Sequence, residues 1–206
     1  MSLRNCKLYI IIDKRTLKNR DIVRVAGESA EGGADIIQFR DKEASDGEFL
    51  KEASRIRTSL KGGKVFFVIN DRPDIASLVG ADGLHLGQCD LPLERARRIF
   101  KKGFIGISTH SPEEAYRAEN EGADYIAIGP VFGSKTKRGL EPIGLEKAKE
   151  VFRKSRIPCF AIGGITEERI KILKDAGIPK VACVHAAIGN KKVFNSVKGL
   201  RKAIGS

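Results

Sequence analysis

The residues of this 206-residue chain that could do chemistry fall just after short apolar runs. Gln38, Arg40 and Lys42 stand at alternate positions through and beyond the run IIQFR, which places all three on one side of an extended segment. Two cations and an amide facing one way suit a polyanion. Asn70 and Asp71 close the next run, VFFVIN, and His85, Gln88 and Asp90 follow from the run GLHL. Asp71 and Asp90 would be two carboxylates at neighbouring strand ends beside cations, able to share a Mg²⁺ ion that also takes phosphate oxygens. Each could equally cap a helix or pair with a nearby arginine, and spacing alone leaves both readings open.

Ser108 ends the run FIGIS, with Thr109 and His110 after it. Ser108 reads either as a ligand contact or as a cap, and His110 as a partner for backbone groups. The segment from Gly129 to Gly139, GPVFGSKTKRG, is unusually rich in hydroxyls and cations, so Ser134, Thr136 and Lys137 could hydrogen-bond a phosphate or carboxylate. The same segment also reads as a solvated lid. Gly163 and Gly164 follow the run PCFAI, where paired glycines let backbone N–H groups approach an anion at a helix start; His185 and Ala186 follow the last run, VACVH.

These clusters need a scaffold that brings strand ends together. Four times the chain leaves a helix-like segment through glycine into a short apolar strand: Gly33-Ala34-Asp35, Gly80-Ala81-Asp82, Gly122-Ala123-Asp124 and the looser Gly177-Ile178-Pro179. Strand-like runs are expected at 8–13, 36–40, 65–70, 83–86, 104–108, 125–129, 158–162 and 181–185. Between them lie segments of helical period with N-cap chemistry at Ser45 with Glu48, Ser111 with Glu114, and Thr166 before two glutamates. Strands alternating with helices predict a parallel sheet, and apolar strands suit burial on both faces. Eight units with polar residues at nearly every strand end favour a closed (β/α)₈ TIM barrel over an open, doubly wound sheet. The chain is shorter than the about 250 residues usual for such barrels. Some helices must therefore be brief, and residues 72–79 leave room for two turns. Nothing marks a boundary, so residues 1–206 are expected to form a single domain.

Composition excludes several function classes. No apolar run approaches the roughly 20 residues that span a bilayer, and the first residues carry no signal-like stretch, so a cytoplasmic protein without a membrane partner is expected. The net charge of +12 is spread along helix faces beside glutamates, without aromatic interleaving or a DNA-reading motif, which argues against nucleic acid. Cys6, Cys89, Cys159 and Cys183 lie far apart, as expected of free and mostly buried thiols rather than a zinc site or a disulfide scaffold.

Taken in order, QFRDK (38–42), VINDRPD (68–74), GLHLGQCD (83–90), GADYIAIGPVF (122–132), SKTK (134–137) and AIGGI (161–165) resemble the thiamine phosphate synthase family over nearly the whole chain. That resemblance implies a transferase that joins a hydroxymethylpyrimidine diphosphate to a thiazole phosphate and releases diphosphate. It further implies that Gln38, Phe39, Arg40, Asp41, Lys42, Asn70, His85, Ser108 and Lys137 contact the pyrimidine diphosphate, with Arg40, Lys42, Lys137 and Ser108 catalytic. By the same resemblance Asp71 and Asp90 hold one Mg²⁺ per subunit, and Ser134, Lys135, Thr136, Gly163, Gly164, His185 and Ala186 contact the thiazole phosphate. Small phosphorylated molecules would be the partners, and a homodimer the expected assembly. Two departures stand out. Where relatives carry serine after the last strand, this chain has His185-Ala186-Ala187, and where the sister thiazole tautomerases carry a catalytic histidine after the sixth strand, it has Pro130. The alternatives are thus a tautomerase on the same barrel, or a non-catalytic phosphate-binding or regulatory protein.

Overall fold

Eight strands, each hydrogen-bonded in parallel to the next and the eighth to the first, close into a barrel. The computed structural model describes residues 2–133 and 141–205. The strands are β1 Leu8–Asp13, β2 Ile36–Arg40, β3 Phe66–Asn70, β4 Gly83–Leu86, β5 Phe104–Thr109, β6 Tyr125–Ile128, β7 Cys159–Ile162 and β8 Val181–Cys183. The helices are α1 Lys14–Leu17, α2 Ile22–Glu31, α3 Asp46–Ser59, α4 Pro73–Val79, α5 Leu93–Ile99, α6 Pro112–Asn120, α7 Leu145–Lys154, α8 Glu167–Asp175, α9 His185–Ile188 and α10 Val193–Ile204. The expected strands are met within a residue or two. The largest difference is at β8, which ends at Cys183 because Val184 leaves the extended conformation (φ −112°, ψ −80°) and His185 starts the short helix α9.

Local chemistry sets the helix starts. Ser45 and Glu48 form a reciprocal capping box on α3, while Ser111 and Thr166 accept from the third backbone N–H of α6 and α8. As residues 72–79 had suggested, α4 is only seven residues long.

Alternation along the strands builds two cores. Ile10, Ile12, Phe39, Phe67 and Ile69 face the helix layer, whereas Tyr9, Ile36, Val68, Tyr125 and Phe160 fill the barrel interior. Interior rings are close: Tyr9 and Phe160 have centroids 5.5 Å apart, Tyr125 and Phe160 5.8 Å. Glycine makes room for them, since a Cβ at Gly106 would lie 2.0 Å from the Tyr125 ring and one at Gly83 2.2 Å from Phe104. These rings fill the interior of the barrel beneath the cavity at its C-terminal mouth.

Three of the four glycine turns carry one recurring clamp. Asp35, Asp82 and Asp124 accept backbone N–H bonds from Leu8, Phe67 and Ile105, the strands one place earlier, and pair with Arg201, Arg57 and Arg97 respectively. The fourth turn has no such carboxylate. Lys180 instead donates to the carbonyls of Arg4 (2.5 Å) and Cys6 (2.6 Å).

Candidate active site

At the C-terminal mouth a cavity of about 630 Å³ is lined from nearly every strand end: Asp13, Gln38 and Arg40, Asn70, His85 and Ser108 on one side, Pro130, Gly163, Gly164, His185 and Ala186 on the other. The two sides differ in character. Asp13 and Arg40 lie on the β1–β5 side, while on the β7–β8 side the glycine loop is flanked by Glu168 and Arg169 from the start of α8.

On the first side Arg40 pairs with Asp13; outside the cavity lining, directly after the lining residue Asn70, Asp71 pairs with Lys42, which lies 3.6 Å from Asp90. Asp71 and Asp90 are close enough to hydrogen-bond each other. Asp71 is placed by backbone bonds, its N–H donating to the His85 carbonyl at 2.9 Å, and it adopts φ 62°, a left-handed conformation rare outside glycine. Asp90 is held by the Gly87 N–H, which donates to its carboxylate at 2.7 Å. Burial, and then the neighbouring Asp90, push the Asp71 carboxyl up to about 6, Lys42 opposing them. Burial also acts on Asp90, yet its hydrogen bonds to Asp71 and the Gly87 N–H, with Lys42 nearby, hold it below the ordinary carboxylate range. The two therefore titrate as a pair that keeps one proton in mildly acidic solution.

Such a pair fits a hard divalent cation. Its donors are all oxygen, burial and the neighbouring carboxylate make the Asp71 carboxyl harder to ionise, and two carboxylates suffice for Mg²⁺ when phosphate and water complete the shell. Among the described residues no group of three or more His, Cys, Asp or Glu could hold a metal ion.

Three expectations on β2 and its exit are corrected. Phe39 is fully buried against Phe49 in the helix layer (ring centroids 4.5 Å), because strand alternation that turns Gln38 and Arg40 inward turns Phe39 outward. Asp41 accepts the N–H groups of Glu43 and Ala44 at 2.9 and 3.2 Å, so its carboxylate shapes a turn and does not line the cavity. Lys42 does not continue the alternation: β2 ends at Arg40, and Lys42 reaches the acidic pair from the following turn.

Below this rim lies a buried polar layer. The Gln38 amide nitrogen is 2.6 Å from the Tyr9 hydroxyl, Tyr9 is 2.9 Å from the Tyr125 hydroxyl, His85 Nδ1 is 2.8 Å from Tyr125, and His85 Nε2 is 2.9 Å from Ser108 Oγ. His110, expected to partner backbone groups, instead meets the Glu114 carboxylate with both its ring and its N–H.

On the second side Gly163 and Gly164 adopt φ 100° and 62°, and a Cβ on either would lie 2.4 Å from the backbone of Pro130 or Gly133. Only glycine lets this loop pass so close under the cavity. Arg169 donates to the Gly164 carbonyl at 2.6 Å and stacks over Phe132, 4.8 Å from the ring centroid. His185 and Ala186, at the start of α9, line the same wall. Ser134, Lys135, Thr136 and Lys137 lie outside the described residues.

Asp13 and Arg169 line the cavity without having been singled out from the sequence. Asp13 was accessible to the strand-end rule applied elsewhere, since it closes β1. Arg169 gave no such signal, because it stands in the first turn of α8 and only the fold of the Gly163–Gly164 loop brings it to the wall. The three buried cysteines and the exposed Cys89 are all free thiols, as expected.

Comparison with known proteins agrees with this geometry. The family model described as thiamine monophosphate synthase matches residues 8–187. A thiamine-phosphate synthase of Fusobacterium nucleatum subsp. nucleatum is 38% identical over 203 residues, covering 98% of each chain. Another, of Coprothermobacter proteolyticus, is 39% identical over 199 residues, covering 96% of this chain and 94% of its own. A solved thiamine phosphate pyrophosphorylase from Pyrococcus furiosus, 36% identical, superposes with a TM-score of 0.90 over 98% of both chains.

Proposed function

This chain belongs to the thiamine monophosphate synthase family, and on that premise we propose that it joins a hydroxymethylpyrimidine diphosphate to a thiazole phosphate, releasing diphosphate and forming thiamine phosphate; where the thiazole carries a carboxylate, that group leaves as CO₂ and a proton from solvent takes its place. The observation that carries the reading is a cavity lined by Arg40, Asn70 and Ser108 on one side and by the glycine loop at Gly163 and Gly164 on the other, with the Lys42, Asp71 and Asp90 cluster directly following Asn70 outside its lining.

In this reading the diphosphate lies toward Arg40 and Lys42, with Asn70 and Ser108 as neutral donors and Lys137 as a further cation. The bond between the pyrimidine methylene and the diphosphate oxygen breaks with its electron pair leaving on diphosphate. The thiazole nitrogen then donates its lone pair to the methylene, which carries cation-like charge in between. Arg40 and Lys42 meet the negative charge that develops on the leaving group, and the walls hold the nitrogen in line with the methylene. No covalent nucleophile or general base is required, because the thiazole nitrogen loses no proton. Asp71 and Asp90 would hold one Mg²⁺, which when bound supplies charge neutralisation for the diphosphate. Lys42, beside both carboxylates, would be a further cation for the phosphate oxygens.

Gly163 and Gly164 would receive the thiazole phosphate on backbone N–H groups, with Ser134, Lys135 and Thr136 as further contacts. The missing serine after β8 leaves that wall to the backbone around His185 and Ala186. A tautomerase would need a proton carrier after β6, and Pro130, which lines the cavity, has no proton to transfer. The spread of charge suits small phosphorylated partners and not nucleic acid, and no helix among the described residues is long and apolar enough to cross a membrane. A cytoplasmic homodimer completes the proposal.

Purified protein given both phosphorylated substrates should release diphosphate in the presence of Mg²⁺ and stop on addition of EDTA. Absence of Mg²⁺-dependent release would refute the synthase reading. Turnover of a thiazole phosphate alone would instead favour the tautomerase.

A further inference from the structure

The buried layer beneath the cavity is one connected chain of hydrogen bonds, and its polarity can be followed atom by atom. It runs from Gln38 through Tyr9, Tyr125 and His85 to Ser108, with successive distances of 2.6, 2.9, 2.8 and 2.9 Å. Gln38, Tyr9 and Tyr125 are almost wholly inaccessible to solvent. The Gln38 amide nitrogen can only donate, so the Tyr9 oxygen accepts there and its single proton points on to Tyr125. The Tyr125 proton is then left for His85 Nδ1, which accepts it. A neutral imidazole accepting at Nδ1 carries its proton on Nε2, and that proton goes to Ser108 Oγ. Ser108 has thereby filled its acceptor role toward the barrel, and its own O–H is turned to the cavity.

We propose that Tyr9 and Tyr125 are positioning residues which, acting through the Nε2–H form of His85, hold the Ser108 hydroxyl as a hydrogen-bond donor into the cavity. The proposal rests on the synthase reading for its consequence, because a donor is what a leaving diphosphate needs at that wall. With the chain reversed, Ser108 would donate to His85 and present only lone pairs to an anion. Burial pushes both tyrosine phenols up, so each remains an O–H donor across the working range. The Ser108 backbone is also anchored, its carbonyl accepting from the Gln88 amide at 2.7 Å.

The test has a spectroscopic arm and a kinetic arm. The chain holds three histidines, so long-range ¹H–¹⁵N spectra of histidine-labelled protein, assigned with His110→Gln and His185→Gln, isolate the His85 ring. The neutral Nε2–H tautomer is expected in the wild type, with a mixture of tautomers in Tyr125→Phe. A wild-type Nδ1–H tautomer or an imidazolium at neutral pH would overturn the proposal. This arm needs no turnover, so it stands whether or not the synthase reading does.

In the kinetic arm Tyr125→Phe should lower kcat on the order of tenfold with little change in KM for either substrate. The double variant Tyr125→Phe/Ser108→Ala should be no slower than Ser108→Ala alone, because on this proposal Tyr125 and His85 act on the reaction through the Ser108 hydroxyl and not through the His85 edge that lines the cavity. Multiplying losses in the double variant would overturn the inference. Tyr9→Phe provides the second measurement should Tyr125→Phe fold poorly. It leaves the Tyr125–His85 bond in place, so its loss should be smaller and should likewise vanish in the Ser108→Ala background; persistence there would count against the proposal.

Discussion

Asp71 combines three unfavourable features at one residue: a φ of 62°, burial, and a second carboxylate beside it. A left-handed conformation costs a non-glycine residue roughly 1–2 kcal/mol, although aspartate and asparagine tolerate it best. Asp71→Asn keeps the backbone and removes the charge, so it should fold at least as well as the wild type while kcat/KM for the diphosphate substrate falls about 10²–10³-fold, as for a lost transition-state contact. Parallel thermal melts and steady-state rates would check both halves. The pair also predicts a pH dependence. Because the fold raises the Asp71 pKa to about 6, the protonated form is the one the folded state favours. Its contribution to stability is complete below the ordinary carboxylate value and is lost as pH rises through about 6. A divalent cation relieves that loss by neutralising the ionised pair but must displace the proton in acid. Mg²⁺ should therefore raise Tm more at pH 7.5 than at pH 5, and equal shifts at both would count against the acidic pair as the metal site.

At the level of the elements, the GAD turns show how a short sequence signal is used. Glycine ends the helix, and the aspartate two residues later ties the N-terminal edge of the preceding strand to an arginine from a helix. In Asp82→Ala the Phe67 N–H and the Arg57 guanidinium lose their acceptor. Charge-assisted hydrogen bonds of this kind are worth about 2 kcal/mol, and in a chain of this size that lowers Tm by roughly 4–8 °C. The clamp lies at the opposite end of the barrel from the cavity, so kcat at 25 °C should hold while calorimetry reports the loss. These turns and the caps at Ser45, Ser111 and Thr166 were legible in the sequence because each is settled within a few residues. The exit of β2 was not: alternation predicts side-chain direction only while the strand lasts, and it stops at Arg40, before Lys42.

For the whole molecule, the interior rings decide both depth and polarity of the cavity. Gly106 is the position at which β5 lets the Tyr125 ring lie against the strand. Gly106→Ala would drive a methyl into that ring, at a cost of about 1–3 kcal/mol as overpacking. It would also move the Tyr125 hydroxyl away from His85, so activity should fall further than in a variant matched for Tm such as Asp82→Ala. Comparing kcat of the two at equal fraction folded tests this, and equal activities would contradict it.

What the sequence determined by itself was local and periodic: eight apolar runs, their order, the caps between them, and polar residues at their ends. That was sufficient for a parallel barrel and for most of its mouth, because in such a barrel every strand end converges on one face whatever its distance along the chain. Only the tertiary structure decided which of those residues meet. Phe39 faces the helices, Asp41 makes a turn, Asp13 neutralises Arg40 and Arg169 joins the glycine-loop wall. The link from Tyr9 to Tyr125 spans 116 positions. No pattern along the chain encodes such a contact, since it depends on strand register and on glycines that admit the rings, both fixed only when the barrel closes.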